Sequence, residues 1–265
     1  MNIFRFEFRH LQKTNLIWTI ALIIVMGLFM FLFTTLQADF TAFFDMMDGL
    51  PAFLQDALSL HTLNIGTILG FYGFSLFYIL LFAAIQAMNY GMSTVSIELS
   101  QNTADFLFTK PVTRTKILRA KLAAIVVSLL ITNILYTCAT ILALNLVKTA
   151  EFSLTALFLI QLSILLFQLL FVAIGIFVAV FLKRIKSVLP ITLGFVFGFF
   201  IIDMLNQSLA DIKLSFLSPF AYFKPSFIIE NLSFDPPYFL LTIGLIFVLS
   251  TVTFIVYHRK DLPSI

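Results

Sequence analysis

The chain has few charged residues and a single cysteine. Both features limit the classes of protein to which it can belong. Asp, Glu, Lys and Arg make up 11% of the 265 residues, whereas soluble domains carry about 25%. Hydrophobic residues make up 61%, so the bilayer is the expected solvent. Cys138 alone excludes an internal disulfide, and no Cys/His cluster has the spacing of a zinc site. These features predict an integral membrane protein.

Motifs for nucleotide binding and catalysis are also absent from the sequence. No Gly is followed by Lys, so the chain has no G-x-x-x-x-G-K-[ST] loop to hold phosphates. It has no H-E-x-x-H or G-x-S-x-G motif and no pair of carboxylates within an apolar stretch. We therefore expect a chain that is not an enzyme by itself, binds no cofactor or metal, and has no nucleic-acid partner.

Six apolar stretches approach or exceed the roughly 20 residues that cross a bilayer. They are residues 16–36, 67–89, 121–147, 153–182, 188–207 and 238–257. The first is too long for a signal peptide and lacks a clear cleavage site, so we interpret it as a retained span. The sequence predicts an all-α protein with one transmembrane domain over residues 1–265.

The basic residues predict which side of the membrane each connection faces. Thirteen of the 16 Lys and Arg residues lie before span one, between spans two and three or at the first residue of span three, between spans four and five, or after span six. Lys148, Lys213 and Lys224 lie in the remaining connections, and residues 37–64 contain four Asp but no Lys or Arg. Because basic residues accumulate in cytoplasmic loops, we predict that both termini are cytoplasmic.

The connection between spans two and three has an order of residues that charge bias alone does not explain. Thr103 can cap a short helix, Pro111 disfavours helical geometry at Lys110, and Thr113 can cap the next helix. Residues 106–108 give this helix an apolar patch. From the residues alone, two interpretations remain open: a knob that docks on a soluble partner, and an interfacial helix on lipid headgroups.

A family resemblance rests on this same connection. The residues that carry it are Glu98, Asn102, Thr103, Phe106, Leu107, Lys110, Pro111, Val112, Thr113, Arg114 and Lys121. Their order resembles that of the permeases of ABC-2 type ATP-binding-cassette exporters. The sequence departs from that pattern at Asn102, where Gly is usual, and at Phe106, where Leu is usual. Asn tolerates the left-handed conformation, so the turn can persist.

The resemblance implies a function and partners. Residues 92–116 would contain a cytoplasmic coupling helix that contacts a separate ABC ATPase, present in two copies and binding ATP and Mg²⁺. The coupling residues would be Glu98, Thr103, Phe106, Leu107, Lys110, Pro111, Thr113 and Arg114. The chain would pair as a homodimer or a heterodimer in the bacterial plasma membrane. It would export an amphipathic or hydrophobic cargo such as a peptide, an antibiotic or a lipid-like molecule.

Two further helical features are expected outside the spans. Phe4, Phe8 and Leu11 are spaced i, i+4, i+7, with Arg5 and Arg9 on a neighbouring face, which is typical of an interfacial helix. This N-terminal helix can anchor the chain on lipid, contact the ATPase, or do both. The family resemblance also implies short extracellular helices before span six.

Several polar residues lie within or at the edge of the spans. They are Gln86, Asn133, Gln161, Gln168 and Asp203. Each is a candidate for lining the transport pathway, although amides in lipid more often bond to neighbouring helices. Asp203 is the strongest candidate, because an intramembrane carboxylate is costly.

Two other features of the sequence leave alternatives open. Gly194 and Gly198 form a G-x-x-x-G motif in span five, which favours close helix packing and, second, a seam between two permeases. For the whole chain, the alternative function is a non-transporting sensor or scaffold whose basic loop binds a regulator or anionic lipid. An ion-coupled carrier is disfavoured, because no internal repeat or midplane charge is evident.

Overall fold

The structure, a computed structural model, is all helical in the residues that it describes. These are residues 3–37, 49, 51, 64–100, 114–148, 150–182, 185, 187–209 and 212–259, with only the backbone described for 95–100, 114, 212, 258 and 259. The helices are α1 Ile3–Leu36, α2 Ile68–Ser100, α3 Arg114–Val147, α4 Leu154–Phe181, α5 Val188–Leu209, α6 Ile212–Leu217, α7 Pro225–Asn231 and α8 Pro236–Arg259, with a 3-10 turn at Pro219–Ala221.

Six of these helices, α1 to α5 and α8, are long and apolar enough to cross a membrane. Each overlaps one of the six predicted spans, which confirms an all-helical membrane protein with six candidate transmembrane helices. Helix formation follows from the solvent, because backbone N–H and C=O groups inside a bilayer need partners within their own segment. The predicted interfacial stretch is the first part of α1, which is continuous over 34 residues.

Neighbouring long helices run antiparallel, so their termini gather at two ends of the bundle. At one end Glu7 of α1 contacts Lys121 of α3, and Lys121 also reaches Thr94 of α2. At the other end Phe33 of α1 packs on Phe71 of α2. We call the first the basic end, because α1, α3 and α5 begin there, α2, α4 and α8 end there, and the Lys- and Arg-rich connections adjoin it.

Helices α2 and α4 form the centre of the bundle and approach each other backbone to backbone. A Cβ atom added at Gly91 would lie 2.5 Å from the carbonyl oxygen of Val172, and one at Gly175 would lie 2.6 Å from that of Met88. Both distances are too short for any side chain. Glycine at these two positions therefore allows the close α2–α4 contact.

Helices α5 and α8 lie at the periphery. In their most apolar windows only 17% and 11% of the residues are buried, against 72% for α2 and 61% for α4. A Cβ atom added at Gly194 or at Gly198 would have nothing within 4 Å. The expectation that this motif packs closely is therefore wrong within one chain: the motif lies on an open face of α5.

The region between α5 and α8 consists of segments too short to cross a bilayer, and its prolines explain where the 3-10 turn, α7 and α8 start. Pro219 and Pro225 each occupy the first turn of their helical segments, and Pro236 is the first residue of α8. Proline suits this position, because its fixed φ is helical and no partner is needed for its nitrogen. In the 3-10 turn, Phe220 packs against rings from three long helices, namely Phe77, Phe167, Phe171 and Phe200. This cluster fixes the region onto α2, α4 and α5.

Candidate functional site

A buried charged side chain lies where α1, α2 and α3 meet at the basic end. The side chain of Lys121 is only 4% exposed, and its Nζ lies 3.5 Å from Oε1 of Glu7, which is 17% exposed. The same Nζ donates a 2.9 Å hydrogen bond to the backbone carbonyl of Thr94. One ammonium group therefore connects three helices.

About two turns deeper, Asn15 of α1 is the centre of a second set of polar contacts. Its Oδ1 accepts hydrogen bonds from Gln86 (3.2 Å), Tyr90 (3.2 Å) and Thr132 (2.9 Å), and its Nδ2 donates to the carbonyl of Ser128 (3.1 Å). Asn15 is 6% exposed. A single amide therefore connects α1 to both α2 and α3.

The contacts around Asn15 continue to α4 through a chain of amides. Gln168 donates from Nε2 to Oε1 of Gln86 over 3.2 Å, and Asn133 donates from Nδ2 to Oε1 of Gln168 over 2.6 Å. We call Asn15, Gln86, Thr132, Asn133 and Gln168 the amide network. Because its members come from α1, α2, α3 and α4, it ties these four helices together inside one chain.

A third polar group lies nearer the end opposite the basic end. The hydroxyls of Tyr72 and Tyr136 are 3.2 Å apart, and Gln161 donates from Nε2 to the hydroxyl of Tyr72 over 2.9 Å. Two amide oxygens in this interior, Oδ1 of Asn133 and Oε1 of Gln161, are buried without a hydrogen-bond partner. These are the atoms that an ordered water would satisfy.

Asp203 lies on α5, two turns before this helix ends, and is 2% exposed. Its Oδ2 accepts a 2.7 Å hydrogen bond from Gln207, whereas its Oδ1 has no hydrogen-bond partner. Nearby, Ser215 of α6 donates to Oδ1 of Asn206 over 2.9 Å. The Ser215–Asn206 bond fastens the end of α5 to α6, whereas the Gln207–Asp203 bond lies within α5.

The 3-10 turn is held in place by hydroxyl groups. Ser218 donates to the carbonyl of Phe199 over 2.9 Å, and Tyr222 donates to the carbonyl of Phe216 over 2.6 Å. Burial raises the pKa of Tyr222 to about 12, with the neighbouring Tyr238 adding to the shift. The Tyr222 hydroxyl therefore stays a donor at physiological pH.

The structure brings four of the five predicted pathway residues into the bundle interior. Gln86, Asn133 and Gln168 join one network, Gln161 joins the tyrosine pair, and Asp203 lies apart on α5. These partners support the packing role expected of amides in lipid. A role in contacting cargo stays a prediction for each of them.

The predicted coupling residues fall outside the part of the chain whose side chains are described. Thr103, Phe106, Leu107, Lys110, Pro111 and Thr113 lie outside the described residues, and Glu98 and Arg114 are described by their backbone alone, at the end of α2 and the start of α3. Their role stays a prediction.

The buried positions of two residues, Asn15 and Lys121, were not predicted from the sequence. Asn15 precedes the predicted first span by one residue, and only the extension of α1 places it inside the bundle. Lys121 carried part of the resemblance, but its burial was not anticipated, because a basic residue at a span boundary usually reaches water. The sequence did contain a signal of their burial: both residues lie at helical spacing from buried apolar residues of the same helix.

The described residues offer no obvious small-ligand or metal centre. One pocket between the 3-10 turn, α7 and α8 has aromatic walls from Tyr222, Phe223, Phe234 and Tyr238 and room for about one water molecule. No three His, Cys, Asp or Glu side chains in the described part of the chain come together as metal ligands would. The hydrogen bonds and the ion pair described above therefore hold helices together.

Six candidate transmembrane helices, joined by buried hydrogen bonds in the bundle interior, define a multi-pass helical membrane protein. The family model described as ABC-2 family transporter protein matches residues 1–262. The chain therefore belongs to this family, which places it in a membrane as a multi-pass protein of the permease type. No curated protein matches the chain at a significant level of sequence similarity.

Proposed function

We propose that the chain is the membrane subunit of an ABC exporter whose energy comes from a separate cytoplasmic ATPase. The observation that carries this proposal is the family match over residues 1–262, joined to six candidate spans and a sequence without a phosphate-binding loop. Permeases of this family generally partner with a cytoplasmic ATPase. ATP and Mg²⁺ would bind to that partner and not to this chain.

The second element of the proposal concerns how the energy enters. The ATPase, in two copies, would contact residues 92–116, with the basic end facing the cytoplasm. The positive-inside bias supports this orientation. The ordered Thr103, Pro111 and Thr113 pattern supports a compact helix–turn–helix entry that a soluble partner can bind.

The third element concerns the pathway and its cargo. Two permease chains, identical or paralogous, would enclose the path between them. The interior of one chain is filled by α2 and α4, which supports a path outside it, and the apolar faces of α5 and α8 support an amphipathic or hydrophobic cargo. That this cargo moves outward rests on the resemblance to exporters. Such a cargo would be a peptide, an antibiotic or a lipid-like molecule.

The test is co-purification from gently solubilised native membranes. We expect a chain tagged at its C-terminus to bring down a stoichiometric ATPase that contains a P-loop. The double charge reversal Lys110→Glu and Arg114→Glu should lower the yield of this ATPase at least about tenfold, because the docking surface is repelled.

The matched control reverses charge in another connection at the basic end. Lys183→Glu with Arg184→Glu should retain the ATPase if residues 92–116 carry the contact. An intact wild-type chain that brings down no ATPase would refute the exporter proposal. In that case, loss of binding to anionic vesicles in the first double variant would favour the sensor or scaffold.

A further inference from the structure

The contacts of Lys121 are a poor way to stabilise a membrane protein. Placing an ammonium group among packed helices costs several kcal/mol. Its ion pair with Glu7 and its bond to the Thr94 carbonyl offset that cost. Apolar side chains of similar volume commonly stabilise a core as well as a buried ion pair does. The best-attested use of such a buried polar contact is to fix how elements are aligned.

The bond from Lys121 to Thr94 is well suited to sensing the position of α2. Its acceptor is a main-chain oxygen, so the bond reports the helix backbone and does not depend on the side chain at position 94. A slide of α2 by one residue moves that oxygen by about 1.5 Å. Such a shift lengthens the 2.9 Å hydrogen bond to about 3.3 Å if it is perpendicular to the bond and to about 4.4 Å if it is along the bond, so the bond is weakened or broken.

The place of this bond along the chain gives it a mechanical role. Thr94 lies in the last two turns of α2, which ends at Ser100, and Lys121 lies two turns into α3, which begins at Arg114. The residues between these helices in the sequence are those proposed to contact the ATPase. A force on that connection therefore reaches the Thr94–Lys121 bond before it reaches the centre of the bundle.

The ion pair extends the connection to α1. Glu7 lies in the second turn of α1, and because this helix is continuous to Leu36, a displacement at Glu7 moves the whole helix. About two turns deeper, Asn15 joins α1 to the same two helices. The three helices are thus held together at two successive levels from the basic end.

We propose that Lys121 is a positioning residue that makes α1 and α3 follow α2 when the ATPase acts on the connection between α2 and α3. This inference rests on the proposed function and deepens it. Lys121 contacts neither ATP nor cargo. It keeps α1, α2 and α3 aligned, so that a movement of α2 is passed on to the other two helices. Helix α8 takes no part in these contacts and can therefore serve as the reference in a distance measurement.

The test removes both charges of the pair with the double variant Glu7→Gln, Lys121→Met in the purified permease–ATPase complex. The permease chain carries a Cys138→Ala change so that, within this chain, spin labels attach only at Phe31→Cys on α1 and Leu240→Cys on α8. Both positions are well exposed, at 72% and 68%. Distances between the labels are measured without nucleotide and with ATP plus vanadate.

The expected result separates alignment from stability. The double variant should assemble with the ATPase and unfold thermally at a temperature no lower than the wild type. Its nucleotide-dependent distance change should be at least about threefold smaller. Lys121→Arg, which keeps the charge and the donors, should retain most of the change. A purely structural role would instead lower the unfolding temperature and leave the distance change in the folded fraction intact.

The chain offers a matched control at the other end of α3. Lys148 and Glu151 form a 3.2 Å pair that is 30% and 91% exposed, and Lys148→Met with Glu151→Gln should leave the distance change unaltered. A wild-type distance change in the Glu7→Gln, Lys121→Met variant overturns the inference. If that variant does not fold, Glu7→Gln alone replaces it, and an unaltered distance change there overturns the inference as well.

The two proposals fail in different ways. A wild-type complex that contains no ATPase, or whose labels do not move with nucleotide, overturns the proposed function and this inference with it. A wild-type complex that assembles and moves, beside a double variant that moves equally, overturns only the role of Lys121.

Discussion

At the residue scale, one side chain holds more of the interior together than any pattern in the sequence indicated. Asn15 accepts hydrogen bonds from Gln86, Tyr90 and Thr132 and donates to Ser128. Each such bond contributes modestly in a bilayer, on average about 0.6 kcal/mol. Its loss still matters, because three buried donors would be left without this acceptor.

We therefore expect Asn15→Leu to lower the free energy of unfolding by about 2 kcal/mol. The control is Asn145→Leu, because Asn145 is exposed and donates to the carbonyl of Ile141 on its own helix. The control should change stability by less than about 0.5 kcal/mol. Unfolding in mixed micelles with increasing SDS measures both, and equal losses in the two variants would contradict the role given to Asn15.

Part of this interior can be predicted from the sequence. Gln161 and Gln168 are seven residues apart, which predicts one helix face, and both indeed face the bundle interior. Their partners Tyr72 and Gln86 could not be predicted, because helical spacing says which residues share a face and not which helix that face meets. The same limit applies to Asn206, whose partner Ser215 on α6 depends on how the chain turns after α5.

At the element scale, the α2–α4 contact depends on glycine at two facing positions. An added Cβ at Gly91 or Gly175 would meet backbone carbonyl oxygens at 2.5 Å and 2.6 Å, and backbone cannot yield as a flexible side chain does. The helices would have to separate, and the buried contacts along α2 and α4 would be lost with them.

We expect Gly175→Leu to destabilise the protein by at least about 3 kcal/mol, or to prevent folding, because overpacking of this kind is costly. The control is Gly194→Leu on α5, where nothing lies within 4 Å of the Cβ position. Its folded yield in the membrane, measured by size-exclusion fluorescence of a tagged chain, should match the wild type. A folded Gly175→Leu protein with normal yield would contradict the close packing.

The G-x-x-x-G motif shows why a motif alone does not locate a helix contact. Gly194 and Gly198 have the spacing that favours close packing, yet the contact within the chain uses Gly91 and Gly175, neither of which has another glycine four residues away. The G-x-x-x-G spacing describes the surface of one helix, whereas close packing also needs a complementary surface on a second helix. Proline was more informative, because its effect at Pro219, Pro225 and Pro236 is local.

At the scale of the whole molecule, the distribution of Lys and Arg predicts one orientation in the membrane. The basic end should face the cytoplasm, and the connection between α3 and α4 should face outward. Six candidate spans and their order along the chain could be predicted, because hydropathy acts over about 20 residues and does not depend on neighbours.

This orientation can be measured in intact cells with a Cys138→Ala chain and a membrane-impermeant maleimide. We expect Glu151→Cys, at a position 91% exposed, to be labelled from outside. Ser187→Cys, exposed in the connection between α4 and α5 at the basic end, should be labelled only after the cells are permeabilised. The reverse labelling pattern would show that the predicted orientation is wrong and that the basic end faces outward.

The amide network also affects how the protein is made. Translation delivers α1 first, and α1 carries Asn15, whose hydrogen-bonding partners belong to α2 and α3 and have not yet been synthesised. An amide in hydrocarbon without partners favours a stay beside the insertion machinery over free diffusion into lipid. We therefore expect α1 to leave the insertion machinery only together with α2 and α3, so that these three helices enter the bilayer cooperatively.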